Sequence, residues 1–167
     1  MKCFFTLLLS IPLFALAQNC KLNKVIDQFS REPKLTTGLI PLSTASLSIN
    51  ATSTDIDFFF AVTNASSAKC FDDASTASLT FDGTRSKANF KNTGTMNCDG
   101  YFHFTFKNTA TTAYALQRLT TQKVNTITLN GSNKGVLVIT LSDDQKQVLM
   151  DAATCIANEA KTLIKQP

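Results

Sequence analysis

His103 is the only histidine of the 167-residue chain, and it sits in NCDGYFHFTFKN, residues 97–108. An imidazole serves as a general base when a nucleophile lies beside it. No G-x-S-x-G elbow is present, so a serine-hydrolase relay has no sequence signature. There is also no P-loop and no G-x-G-x-x-G phosphate cradle. One histidine cannot assemble a histidine zinc site, and no D-x-D-x-D-G calcium loop occurs. Carboxylate chemistry needs two acids facing each other across a cleft. Asp72 and Asp73 are adjacent, and neighbours on a strand point to opposite sides. Asp82 and Asp99 each precede a glycine and read as turn residues, whereas Asp143 and Asp144 open a helix. No catalytic residue, metal ligand or cofactor is expected from these patterns. A hydrolase using carboxylates that the sequence does not pair is the weakest of three readings.

The cysteines carry more information. Cys3 falls in the N-terminal apolar stretch, leaving Cys20, Cys70, Cys98 and Cys155. An even set in an exported chain argues for two disulfides, and none of the four has the C-x-x-C spacing of a typical zinc site. Three connectivities are open. Cys70–Cys98 with Cys20–Cys155 is the favoured one: it places one bridge in the sheet region and ties the two ends with the other. A reactive cysteine would need a free thiol, which this scheme leaves nowhere in the mature chain.

The elements that would carry these residues are mostly strands. Val25–Phe29 fits either a helical or an alternating spacing. Leu35–Leu42 reads as a short edge strand interrupted by Pro41. Ala45–Ala51 sets Leu47 and Ile49 against Ser46, Ser48 and Asn50, and Asp55–Val62 puts Ile56, Phe58 and Phe60 on one face. Ser78–Phe81 and Ser86–Phe90 flank Asp82-Gly83, a hairpin signal whose two turn positions take positive φ. Gly100–Phe106 alternates Phe102, Phe104 and Phe106 with Tyr101, His103, Thr105 and Lys107. His103 is therefore expected on the wet side of a strand, where it could tune a binding surface made with those three neighbours. Ala113–Leu119 suits a short helix, and Val124–Leu129 and Gly135–Leu141 are strands joined through Asn130-Gly131. Ser142 and Gln145 form a capping box ahead of an apolar stripe, Leu149, Ala152, Ala153, Ile156, Ala160, Leu163 and Ile164, over about six turns. Cys155 lies on the flank of that stripe. Strands followed by a helix predict an α+β fold: a mainly antiparallel sheet of six to eight strands with a C-terminal amphipathic helix on one face.

MKCFFTLLLSIPLFALA has the charged start, apolar run and small-x-small end of a secretory signal, with the cut expected after Ala17. The run is shorter than the roughly 20 residues of a membrane span. Residues 18–167 are then a single disulfide-stabilised domain with no membrane span, secreted or periplasmic. The formal charge is +4, but Lys and Arg are scattered, the densest group being Arg85, Lys87 and Lys91. A nucleic-acid binder concentrates such charge on one face among aromatics, so nucleic acid is not expected as a partner. Asn50, Asn64 and Asn130 start glycosylation sequons, which count only in a eukaryotic secretory route. Outside the leader every phenylalanine lies between Phe29 and Phe106. They build a core or, alternatively, line a cavity for a small apolar ligand.

The order Ile26-Asp27-Gln28-Phe29-Ser30, Leu35-Thr36-Thr37, Phe81-Asp82-Gly83, Asn97-Cys98-Asp99-Gly100, Leu119 with Lys123-Val124, and Leu141-Ser142 leading to Cys155-Ile156 resembles a family of small exported bacterial proteins without an assigned activity. The resemblance spans most of the mature chain through short motifs. It implies a strand for Val25–Phe29 and a periplasmic or secreted setting, and it carries over no site. The leading functional reading is a non-enzymatic, exported or envelope-associated module that binds a protein or small molecule through a sheet face or an edge strand. The alternative is a small apolar-ligand carrier.

Overall fold

The structure, a computed structural model, describes residues 20–28, 30–63 and 70–165. The expected leader and its cut after Ala17, Phe29 and the Asn64 sequon lie outside these residues; the strand expected over Val25–Phe29 instead runs Asn23–Ile26, because Asp27 opens a turn in which its carboxylate accepts the Ser30 amide. Among them the chain runs β1 (Asn23–Ile26), β2 (Pro33–Thr36), β3 (Ile40–Pro41), β4 (Ala45–Ala51), β5 (Asp55–Val62), β6 (Thr76–Phe81), β7 (Lys87–Lys91), β8 (Tyr101–Lys107), α1 (Tyr114–Thr121), β9 (Val124–Asn130), β10 (Val136–Thr140) and α2 (Asp143–Glu159), which continues as a 3-10 turn (Ala160–Leu163). The fold is α+β and strands dominate, as their alternation implies. The strands divide between two antiparallel sheets. One has the order β1-β2-β4-β5-β8, with β3 also paired to β4, and the other has the order β10-β9-β6-β7.

Period-two burial explains the layering. On β5, Ile56, Phe58, Phe60 and Val62 are buried and the residues between them are not; on β8 the same holds for Phe102, Phe104 and Phe106. Phe58 and Phe104 stack with ring centroids 5.1 Å apart and planes 10° from parallel. Phe90 of β7 stacks on Phe104 at 4.2 Å, which joins the second sheet to the first. Phe71 meets Phe102 edge-on at 5.4 Å. Offset stacks and edge contacts are the arrangements the aromatic quadrupole favours. The phenylalanines thus fill the core against one another. The second sheet adds Ala77, Leu79, Ile127, Leu129 and Ile139, and the helices add Leu116, Leu119, Leu149, Ala153 and Ile156. Helix α2 packs on α1 and touches both sheets, through β4 and β9.

The capping box is present in both directions. Ser142 Oγ accepts the Gln145 amide, and the Gln145 side chain accepts the Ser142 amide. The α-helical part is shorter than the apolar stripe suggests. It ends at Glu159, and the buried Asn108 amide donates to the Ala160 carbonyl at 2.7 Å and to the Thr52 carbonyl at 2.8 Å. That side chain fastens the helix end to the β4–β5 turn.

Three turns differ from expectation. Leu35–Leu42 is two strands rather than one: Gly38 takes φ +71°, and the chain loops out before pairing with β4 again at Ile40. The β6–β7 connection spans 82–86, with positive φ at Gly83 alone; a Thr84 hydroxyl accepting the Ser86 amide shapes the rest. Asp82 therefore does not act as half of a tight two-residue turn. In the β9–β10 connection Gly131 has φ −88°, and Lys134 carries the left-handed position at φ +61°. The extra residues form a short 3-10 turn whose Ser132 amide bonds the Cys70 carbonyl.

Cys20 is bonded to Cys155 and Cys70 to Cys98. These close loops of 135 and 28 residues in sequence. In the chain-entropy account the longer loop contributes more. Replacing Cys20 and Cys155 by serine should cost about 5 kcal/mol and replacing Cys70 and Cys98 about 3.5 kcal/mol. Denaturant unfolding of the two double variants checks the order; equal losses would contradict it.

Candidate functional site

The outward residues of β4, β5 and β8 form one surface. Register fixes its rows: Asn50 lies across from Asp57 and Asp57 from Thr105, while Ser48 lies across from Phe59 and Phe59 from His103. Ala61 faces Tyr101, and Asp55 faces Lys107. All four residues expected to share this side, Tyr101, His103, Thr105 and Lys107, do so, because β8 is a regular strand and its phenylalanines take the inner face.

His103 is not the partnerless surface residue its sequence neighbours suggest. Its Nδ1 lies 3.0 Å from Asp57 Oδ1, and the two side chains are 30% and 28% exposed. A carboxylate at that distance favours a proton on Nδ1, which then donates to Asp57. The ring is also fixed from the other side. A Cβ added at Gly94 would come within 2.3 Å of His103 Nε2, so the backbone of the β7–β8 connection lies flat against the imidazole. That connection also closes the outer edge of β8. Asn92 Oδ1 accepts the His103 amide, the Thr93 amide bonds the His103 carbonyl, and Asn97 brackets Tyr101 through its amide and its carbonyl.

Beside the pair, Phe59 lies 5.4 Å from the Tyr101 ring and 6.0 Å from the imidazole, and Tyr101 is 45% exposed. Ser48 is buried and within hydrogen-bond reach of Thr36 and Asn50 at 3.4 Å each. The surface is thus an aromatic patch bordered by a carboxylate, an imidazole, an amide and hydroxyls. At its lower end Lys107 bonds Asp55 at 2.8 Å. The Lys107 ammonium, helped by the Thr54 hydroxyl, lowers the Asp55 pKa below its ordinary 3.8.

Among the described residues no hydroxyl or thiol hydrogen-bonds to His103 Nε2, and no group of three His, Cys, Asp or Glu could hold a metal ion. The pair has the base and orienting group of a relay without its nucleophile. Three of the other acids singled out from the sequence have structural partners. Asp72 caps its own turn through Ala74 and Ser75, and Asp82 and Asp143 both bond Lys146. The Asp143 hydrogen bond, and after it Asp82, raises the Lys146 pKa. Lys165 lowers that of Glu32 in the same manner. The four cysteines are all in disulfides. Asn50 sits on the candidate face, and Asn130 donates its amide to Thr76. Among the described residues no helix is long and apolar enough to cross a membrane.

Two surface grooves add further concavities. One, of about 350 Å³, lies along the Cys20–Cys155 bond and is lined by Leu22, Ile40, Val148 and Ala152 with Lys21 and Asp151. The other, of about 360 Å³, has a mixed polar and apolar lining and lies between α1 and α2 at Gln117, Thr120 and Thr154. Neither is lined by phenylalanine. Asp57 is the residue that sequence reasoning missed. Its signal is the run Asp55, Asp57, Phe59 on the outward period of β5, but the partner lies 46 residues away and only the register discloses it. Compared with family models, curated proteins and solved structures, the chain matches none.

The Gly94–His103 contact is testable. Gly94→Ala must turn the imidazole away and break its bond to Asp57, costing about 1 kcal/mol, the usual net worth of such a bond. In a His103→Ala background the same change should be close to neutral. A double-mutant cycle by denaturant unfolding measures this, and equal costs in both backgrounds would contradict the contact. Asp55 has a lowered folded pKa, so its contribution is complete above the ordinary value of 3.8 and fades as pH falls through the lower folded value. Asp55→Asn should therefore lose stability at neutral pH and flatten the acid limb of the stability curve. An unchanged acid limb by thermal unfolding between pH 2 and 5 would exclude that role.

Proposed function

We propose that the protein is an exported, non-enzymatic binding module and that the outward face of β4, β5 and β8 is its contact surface. The observation that carries the reading is the Asp57–His103 pair held rigid beside Phe59 and the exposed Tyr101. Oriented polar groups around a partly exposed aromatic patch suit recognition, since they offer directional hydrogen bonds and apolar area at low ordering cost. The incomplete relay argues against acyl transfer at the same place. Export, to the periplasm or out of the cell, is supported by the leader-like N-terminus and by two disulfides, which persist in oxidising compartments. The partner is a protein or a small molecule.

A photo-crosslinking residue at Thr105, exposed on this face across from Asp57, should yield a discrete adduct in the producing cell, identified by mass. The same residue at Lys161, exposed at the far end of α2, should not. No adduct from position 105, or the same adduct from both positions, would refute the assignment.

A further inference from the structure

The strand edges of the two sheets are protected unequally. β1 carries Lys24, β7 carries Lys87 and Lys91, β3 carries Pro41, and the β7–β8 connection covers β8. Charges, proline and covering segments are the devices that stop strands from pairing with other chains. β10, Val136-Leu137-Val138-Ile139-Thr140, is the edge of the second sheet; it has no charge and no proline, and only Ser43 of the β3–β4 connection reaches it, at the Thr140 end. It pairs with β9 alone. The Gly131 amide bonds the Gly135 carbonyl and the Leu141 amide bonds the Asn125 carbonyl, so odd-numbered residues turn their backbone groups toward β9. The amides and carbonyls of Val136, Val138 and Thr140 therefore face outward. The Thr140 carbonyl accepts the Ser43 hydroxyl at 3.4 Å, which leaves it a second lone pair. The side chains of Val136 and Val138 are 56% and 53% exposed.

We infer that β10 is a homodimer edge, pairing antiparallel with β10 of a second copy about a two-fold axis at Val138. In that register Val138 faces Val138, and Val136 faces Thr140 of the other copy. Every outward backbone group then meets its complement, and the cross-strand side-chain pairs are β-branched and uncharged. The occupant is a second copy because the ends of this edge complement each other in charge. The two-fold places Lys134 opposite Ser142 of the other copy, next to Asp143 and Asp144. Lys134 and Asp144 are exposed and have no hydrogen-bond or ion-pair partner among the described residues, and Asp143 is 92% exposed. A symmetric contact needs such self-complementarity, with each patch meeting its own copy. The result is one continuous eight-stranded sheet that leaves the face of β4, β5 and β8 free on both protomers.

Sedimentation equilibrium of the oxidised protein is expected to show a monomer–dimer equilibrium. Val138→Lys, which sets two ammonium groups against each other at the axis, should raise the dissociation constant about tenfold or more. Val25→Lys on β1 should leave it unchanged. Lys134→Glu should weaken the dimer, and adding Asp144→Lys to it should restore the original affinity. This charge exchange keeps the test decisive should Val138→Lys fail to fold. A protein that stays monomeric up to about 1 mM, a dimer indifferent to Val138→Lys, or a charge exchange without restoration would each overturn the inference, as would a β10 occupied instead by a strand of another protein.

Discussion

The antiparallel register of β5 on β8 determines both faces of the first sheet at once. Phe58 opposite Phe104 and Phe60 opposite Phe102 form the inner layer, and the same alignment sets Phe59 beside His103 and one row along from Asp57. A slip of one residue would turn the phenylalanines to water and bury the aspartates, so the hydrophobic content of the inner row enforces the geometry of the outer one. The ring of Phe90 laid on Phe104 then carries this register across to the second sheet. The polar pair needs no large energy of its own to stay in place. Its position is inherited from the packing beneath it and from the Gly94 backbone pressed against the ring.

Much of this was legible from residue order. Ala45–Ala51 and Asp55–Val62 coincide with β4 and β5 because their alternation leaves one register that buries the large side chains. The Ser142–Gln145 box marks the start of α2 to the residue, since capping is local chemistry. The preferred cysteine pairing is the one the structure has. What local pattern does not contain is the partner of a strand. Nothing in Thr76–Phe81 states that it joins β9 and β7 rather than β5, and that choice divides the strands into two sheets. Asp57 escaped for the same reason, its role being defined by a strand far along the chain. The turn pairs misled in a different way. Asp82-Gly83 and Asn130-Gly131 mark where the chain reverses, but loop length decides which residue bears positive φ, and in the second loop this is a lysine.

Polar side chains do the joining that packing leaves undone. Lys146 holds Asp82 of the β6–β7 connection to Asp143 at the start of α2, Gln145 reaches the Pro41 carbonyl, and Arg118 lies 4.1 Å over the Phe81 ring while bonding Ser86. With Asn108 at the other end, α2 is tied to a neighbour at each terminus. Interactions of this kind contribute modestly one by one, and here they add to the apolar packing of the helix on both sheets.

The Cys20–Cys155 bond has a consequence for the order of events in biogenesis. A chain is made from its N-terminus, so Cys20 meets Cys70 and then Cys98 well before Cys155 is available. Of the four paired cysteines, Cys20 and Cys70 are the first two that can meet, and the finished molecule lacks that bond. Where an oxidant joins them, the Cys98 thiolate attacks Cys70 and releases Cys20 as a thiolate, and a second two-electron oxidation joins Cys20 to Cys155. The last helix to be synthesised thus supplies the thiol that completes the native pairing.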